Sequence, residues 1–84
     1  MITPVYYTFQ PRWKEELVCT CKQGSFVLEL TMGQLTVYLP TEEDWQKRAP
    51  AWAKDHWPQL HSQLKSWCAG SNIPLVVMEG AQIW

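Results

Sequence analysis

Residues 41–70, TEEDWQKRAPAWAKDHWPQLHSQLKSWCAG, set the architecture that the sequence predicts. An α-helix turns by about 100° per residue, and on that spacing the apolar side chains of this segment fall within about a third of the circumference. Such a stripe is typical of a helix that packs one side against a hydrophobic core, so we expect this segment to cover a sheet. The stripe consists of Ala53, Trp57, Leu60, Leu64, Trp67 and Cys68.

The ends of the helices can also be predicted. Thr41 is a suitable N-cap, and the three acidic residues after it favour the positive end of a helix dipole. Pro50 suits a first helical position and disfavours helical geometry in the residue before it. We therefore expect a short helix at 42–48 and a main helix at 50–69, which Gly70 ends.

Pro58 lies inside the predicted main helix. It falls on the side opposite the apolar stripe, where water can satisfy the backbone carbonyl that loses its hydrogen bond. The unbroken stripe therefore favours one helix that bends at Pro58. The alternative is a new helix that begins near Asp55 and has Pro58 in its first turn.

The strongest strand pattern runs through residues 17–39. Three strand-forming segments are separated by Gln23-Gly24 and Met32-Gly33, and each of these pairs suits a tight hairpin turn. The pattern predicts an antiparallel three-stranded meander. Its strands are residues 17–22, 25–31 and 34–39.

Two-residue loops at both turns would fix the strand register. Cys21 would then pair with Phe26, and Leu30 would pair with Leu35. Both hairpins place the same apolar set on one face, and a slip of one residue would send that set to the other face. The residues predicted to point inward are Leu17, Cys19, Cys21, Phe26, Leu28, Leu30, Leu35, Val37 and Leu39.

The rest of the chain adds two further strands. Residues 74–78 are a continuous apolar run, typical of a strand covered on both faces, and a crossover helix would place them parallel to residues 34–39. Residues 4–9 have the composition of an additional N-terminal edge strand. The sequence thus predicts an α+β fold, β-β-β-α-β in two layers, in a single small domain over residues 1–84.

Composition argues against several classes of function. The net charge of −1 lacks the basic excess of a dedicated nucleic-acid binder, so we do not expect nucleic acid as the main partner. The N-terminus has no signal-peptide pattern and no apolar run approaches the roughly 20 residues that span a bilayer, so we expect a cytoplasmic protein without a membrane partner. Three cysteines are too few for a disulfide framework, which agrees with a reducing compartment.

Few groups of residues in the sequence are candidates for a metal-binding or catalytic site. Cys19 and Cys21 would share one strand face and Cys68 lies on the helix stripe, so a three-thiolate metal site is geometrically conceivable. The paired spacing of structural zinc sites is missing, and buried free cysteines are the favoured interpretation. His56 and His61 have no evident partner for a catalytic dyad. We therefore predict no catalytic residue, no metal and no cofactor.

Two surfaces remain as candidates for binding. The outer face of the meander carries Val18, Val27 and Tyr38, which the N-terminal aromatic residues or a second copy of the chain could cover. Trp45 and Trp52 fall together at the edge of the helix stripe and could anchor a partner. We expect a non-enzymatic protein–protein interaction or structural module, with a homodimer as one form. The alternative is a small-ligand, single-stranded nucleic-acid or metal-binding domain that uses the tryptophan rim or the three thiols.

Overall fold

A five-stranded sheet and a layer of helices form the fold in the computed structural model, which describes residues 5–12 and 15–84. The strands are β1 (Thr8–Arg12), β2 (Glu16–Cys21), β3 (Gly24–Thr31), β4 (Thr36–Leu39) and β5 (Leu75–Val77). Between β4 and β5 lie α1 (Glu42–Arg48), a 3₁₀ helix (Ala51–His56) and α2 (Trp57–Gly70). Spatial order follows chain order, and β4 and β5 are parallel whereas the earlier pairs are antiparallel. The predicted α+β class is confirmed.

The first hairpin of the meander forms, but its pairing lies two residues from the predicted register. Cys19 is opposite Phe26, because residues 22–23 form the loop and Gly24 already belongs to β3. Moving a two-residue loop by one position changes the pairing by two residues, and two is the period of a strand. Every side chain in this hairpin therefore keeps its predicted face.

The pairing of the second hairpin also lies two residues from the predicted register, in this case because the loop is longer. Leu30 is opposite Val37, because residues 32–35 form a four-residue loop where a two-residue loop was predicted. Leu35 is consequently 44% exposed in the loop and does not join the inner face, while Cys21 is half-buried. The other residues predicted to point inward are buried: Leu17, Cys19, Phe26, Leu28, Leu30, Val37 and Leu39.

The helical layer begins as predicted and then divides. α1 has the predicted bounds, and the Thr41 hydroxyl caps it by accepting a hydrogen bond from the Asp44 N–H at 3.3 Å. The segment predicted as the main helix is the 3₁₀ helix followed by α2, with Pro58 in the first turn of α2. The alternative interpretation of Pro58 is therefore the observed one. In a first turn the missing proline N–H costs no intrahelical hydrogen bond.

The crossover returns the chain to the sheet parallel to β4, as predicted. Leu75 lies opposite Val37, and Val77 lies opposite Leu39. The expectation that this strand is covered on both faces is wrong, since Val76 and Val77 are 37% and 40% exposed. The reason is that β5 is the last strand of the sheet.

An N-terminal edge strand is present, but β1 begins at Thr8, later than predicted. The residues just before it run along α2, where the side-chain carbonyls of Gln59 and Gln63 accept hydrogen bonds from the backbone. Pro11 lies within β1, which an edge strand tolerates because only alternate residues donate to the sheet. Pro4, the predicted start, lies outside the described residues.

The hydrophobic core lies between the inner sheet face and the helices. Tyr7 is buried in it, and Phe9 packs against Trp67 with ring centroids 5.8 Å apart. These N-terminal aromatic residues thus lie on the helix side and do not cover the outer face. Within the described part of the chain, no helix combines the length and the apolar character needed to cross a bilayer.

Candidate functional site

The outer face of the sheet, opposite the helices, carries three of the residues predicted to bind a partner. Val18 and Val27 lie directly opposite each other on β2 and β3. Tyr38 on β4 lies opposite Glu29, two residues along β3 from Val27. All three apolar side chains are half-buried. The structure therefore places Val18, Val27 and Tyr38 together on one face, as the strand alternation predicted.

The C-terminal residue adds an aromatic ring to this face. β4 pairs only with the end of β3, at residues 29–31. The earlier part of that edge of β3 can therefore pair with another segment. Trp84 occupies it by exchanging two backbone hydrogen bonds with Val27, at 2.8 and 2.9 Å. Residues paired in this way point to the same face, so the indole lies on the outer face, where Trp84 is 59% exposed. We call Val18, Val27, Tyr38 and Trp84 the outer-face patch.

Side chains of α1 hold the C-terminal segment in position. The Asp44 carboxylate accepts a hydrogen bond from the Gly80 N–H at 2.6 Å, and the Arg48 guanidinium donates to the Ala81 carbonyl. Asp44 and Arg48 also form an ion pair at 3.5 Å, one helical turn apart. The position of Trp84 therefore depends on α1 as well as on β3.

An open cavity of about 500 Å³ lies beside the outer-face patch, lined by Glu15, Glu16, Glu29, Gln82 and Trp84. Glu16 and Glu29 are directly opposite each other across β2 and β3, a position in which like charges destabilise a sheet. Arg12 on β1 lies opposite Glu16, a position in which opposite charges stabilise a sheet. Carboxylates around one opening give it a negative potential, which attracts cations.

The predicted rim of Trp45 and Trp52 requires correction. Trp45 is fully buried, and its indole N–H donates to the Ala53 carbonyl at 2.8 Å. Trp52 is half-buried and packs against Phe26 and His56, with ring centroids 6.2 and 6.0 Å apart. The turn between α1 and the 3₁₀ helix brings Ala53 over Trp45, so that Trp45 has no surface to offer a partner.

The three thiols are poorly suited to bind a metal. Cys19 and Cys68 are buried, and Cys21 is half-buried with its thiol 3.3 Å from the Gln23 side-chain oxygen. Burial, and then the proximity of Cys68, raises the pKa of Cys19, and burial raises the pKa of Cys68 to about 11. Metal binding requires thiolates. Among residues 5–12 and 15–84, no group of three His, Cys, Asp or Glu side chains could hold a metal ion.

Both histidines are engaged in packing. His56 is buried, and its Nδ1 lies 2.8 Å from the Tyr7 hydroxyl. Burial, followed by a hydrogen bond with Cys21, raises the pKa of Tyr7, so the phenol stays protonated and can donate to the imidazole. His61 stacks on Trp57 with ring centroids 4.7 Å apart. Neither arrangement activates a nucleophile.

The outer-face patch and the acidic cavity beside it are the strongest candidate site in the described residues. Comparisons of this chain with protein-family models, with curated proteins and with solved structures found no match. The alternation of the strands predicted Val18, Val27 and Tyr38, whereas the cavity and Trp84 had no signal in the sequence pattern.

Proposed function

We propose that this protein is a non-enzymatic interaction module that binds a basic segment of a partner protein on its outer sheet face. The observation that carries the proposal is the outer-face patch, in which three half-buried apolar side chains adjoin the exposed indole of Trp84. Apolar and aromatic side chains surrounded by polar ones are typical of protein interfaces. Thr20, Thr31 and Thr36 supply part of the polar surroundings.

The charge beside the patch indicates the chemistry of the partner. Glu15, Glu16 and Glu29 line one opening together with Trp84. A Lys or Arg side chain in that opening would approach the carboxylates, and it could also lie over the indole ring, which attracts cations. Apolar side chains of the same segment would contact Val18 and Val27. The preferred partner therefore combines basic and apolar side chains.

The same carboxylates argue against two other occupants of this face. A phosphate backbone would meet negative charge, since nucleic-acid binding depends on Lys and Arg at the phosphates. A second copy stacked face to face with its opening over this one would bring the glutamates of both copies together. The small-ligand and metal alternatives have less support, because Trp45, Cys19 and Cys68 are buried.

Peptide binding tests this proposal. The probes are a short peptide that alternates Arg with Val and Tyr, and its counterpart with Glu in place of Arg. We expect the Arg peptide alone to bind, with an affinity that falls as salt is added. Glu29→Lys should weaken binding about tenfold, because it replaces attraction by repulsion at the opening.

Asp55→Lys is the matched control. It changes the net charge by the same amount, at an exposed position in the helical layer. We expect its affinity for the Arg peptide to stay within about twofold of wild type, because screening limits charge effects to about 8–10 Å. Equal losses in the two variants, or equal binding of the two peptides, would show that the outer face does not select basic partners.

A further inference from the structure

The two edges of the sheet differ in chemistry. The free edge of β1 contains Pro11 and Arg12, and proline and charged residues are devices that protect an edge from pairing with another chain. β5 itself has neither, although Pro74 directly precedes it, and residues 73–78, IPLVVM, carry no charge. Val76, Val77 and Met78 are between 37% and 44% exposed. The β5 edge is thus apolar, and the features that protect it are its short length and the proline just before it.

Backbone hydrogen-bonding groups on β5 remain available at this edge. The Pro74 carbonyl accepts from the Val37 N–H, and the Met78 N–H donates to the Leu39 carbonyl, both at 3.0 Å. These bonds show that the backbone polar groups of residues 74, 76 and 78 point towards β4. Because the N–H and C=O groups of successive residues point to alternate edges of a strand, those of Leu75 and Val77 point outward at the free edge of the sheet. No described residue pairs with them.

We infer that two copies of this chain join through antiparallel pairing of their β5 strands about a two-fold axis at Val76. Leu75 of each copy would lie opposite Val77 of the other, and each such pair would exchange both of its backbone hydrogen bonds. The result is a continuous sheet with five strands from each copy and both helical layers on the same side.

A second copy fits this edge for two reasons. A two-fold pairing must match a surface to itself, and the outward groups of Leu75 and Val77 are symmetric about Val76. The absence of charge over residues 73–78 lets identical edges approach without repulsion. The inference goes beyond the proposed function and uses different residues, since the outer-face patch stays open in the dimer.

The length of β5 limits the strength of the dimer. Only residues 75–77 form the strand, so the interface is smaller than the roughly 1,200–2,000 Å² of standard stable complexes. We therefore expect a reversible dimer. In sedimentation, the average mass should rise above that of the 9.8 kDa chain and towards twice that value. The concentration range needed is about 10 µM to 1 mM.

Charged variants at the axis test the register. Val76 would face its own counterpart across the axis, so Val76→Lys or Val76→Glu places like charges directly opposite each other. We expect each variant alone to stay monomeric at about 1 mM, and an equimolar mixture of the two to regain the mass of wild type. Val76 is exposed on the outer face, so both variants should retain the circular dichroism of wild type.

Glu29→Lys is the control, because it alters the outer face without touching β5. It should dimerise as wild type does. The inference is overturned if wild type stays monomeric at about 1 mM, if the mixture of Val76 variants does not associate, or if Glu29→Lys alone abolishes the dimer. Peptide binding is measured on wild type at about 10 µM, a concentration at which we expect the monomer, so its failure would count only against the proposed function.

Discussion

Gly24 lies against the indole of Trp52, and this contact explains why glycine is found where the first hairpin enters β3. A Cβ atom at Gly24 would lie 2.8 Å from Cζ2 of Trp52, and the backbone φ of +158° also disfavours other residues. We predict that Gly24→Ala lowers the free energy of unfolding by about 1–3 kcal/mol, because the indole must shift away from Phe26. Urea denaturation measures this loss.

Gly33→Ala is the matched control for Gly24→Ala. Nothing lies within 4 Å of a Cβ atom at Gly33, so its free energy of unfolding should change by less than about 0.5 kcal/mol. If the two variants have the same stability, the contact between Gly24 and Trp52 does not constrain the hairpin.

The buried thiols make stability depend on pH in the alkaline range. Burial raises the pKa of Cys68 to about 11, and the pKa of Cys19 is raised as well. Above the ordinary thiol pKa of about 8.5 the unfolded chain releases protons that the folded chain retains. The free energy of unfolding should therefore fall as pH rises from about 8.5 to 11, by up to about 1.4 kcal/mol per pH unit for each thiol.

Urea midpoints at pH 7, 8, 9 and 10, under reducing conditions, test this dependence. Cys68→Ala should show a shallower decline, because only one of the two buried thiols remains. If the midpoints are constant above pH 8.5, ionisation of the buried thiols does not lower the free energy of unfolding.

Strand faces were predictable in this chain, whereas turn lengths were not. The pairing in both hairpins is shifted by two residues, and such a shift leaves the inward and outward faces of the paired residues unchanged, so the apolar pattern of the strands cannot distinguish the registers. Only Leu35, which the longer second loop removes from the strand, changes its environment. The first loop is residues 22–23 and not the predicted 23–24, because Gly24 packs on Trp52 as part of β3. That contact joins residues far apart in sequence. In the second loop the Thr31 hydroxyl donates to the Gln34 carbonyl at 2.8 Å, which stabilises the longer turn.

The N-terminal segment is held by one face of α2. The Gln63 side chain accepts a hydrogen bond from the Tyr7 N–H at 2.7 Å and donates to the Val5 carbonyl. We predict that Gln63→Ala lowers the free energy of unfolding by about 1–3 kcal/mol, because it leaves two partly buried backbone groups unpaired. It should also accelerate amide hydrogen exchange at Tyr7.

Gln46→Ala is the control for Gln63→Ala. Gln46 also donates to a backbone carbonyl, that of Lys54 at 2.7 Å, but in an exposed setting where water can replace the bond. A smaller loss, below about 0.5 kcal/mol, is expected. Unchanged exchange at Tyr7 in Gln63→Ala would show that the segment is held by other contacts, such as the bond from Tyr7 to His56.

For the molecule as a whole, the sequence predicted the face used by the candidate site but only part of its contents. Alternation in the meander placed Val18, Val27 and Tyr38 outward. Trp84 joins them because Asp44 and Arg48 hold the chain that leads to it, and such long-range contacts leave no local pattern. The prediction that Trp45 lies at an exposed rim was wrong for a similar reason. Its hydrogen-bond partner Ala53 belongs to the next helical segment, which covers the indole.

The most direct test of the outer face as the binding surface is nuclear magnetic resonance of the indole N–H groups during titration with the Arg peptide. Each of the six tryptophans contributes one such resonance. The indoles of Trp45 and Trp57 donate to the carbonyls of Ala53 and Pro40 and serve as internal references. We predict that the Trp84 resonance shifts with the amides of Val18 and Val27, while those references stay fixed. A fixed Trp84 resonance with shifts at Trp57 or along β5 would contradict the proposed function.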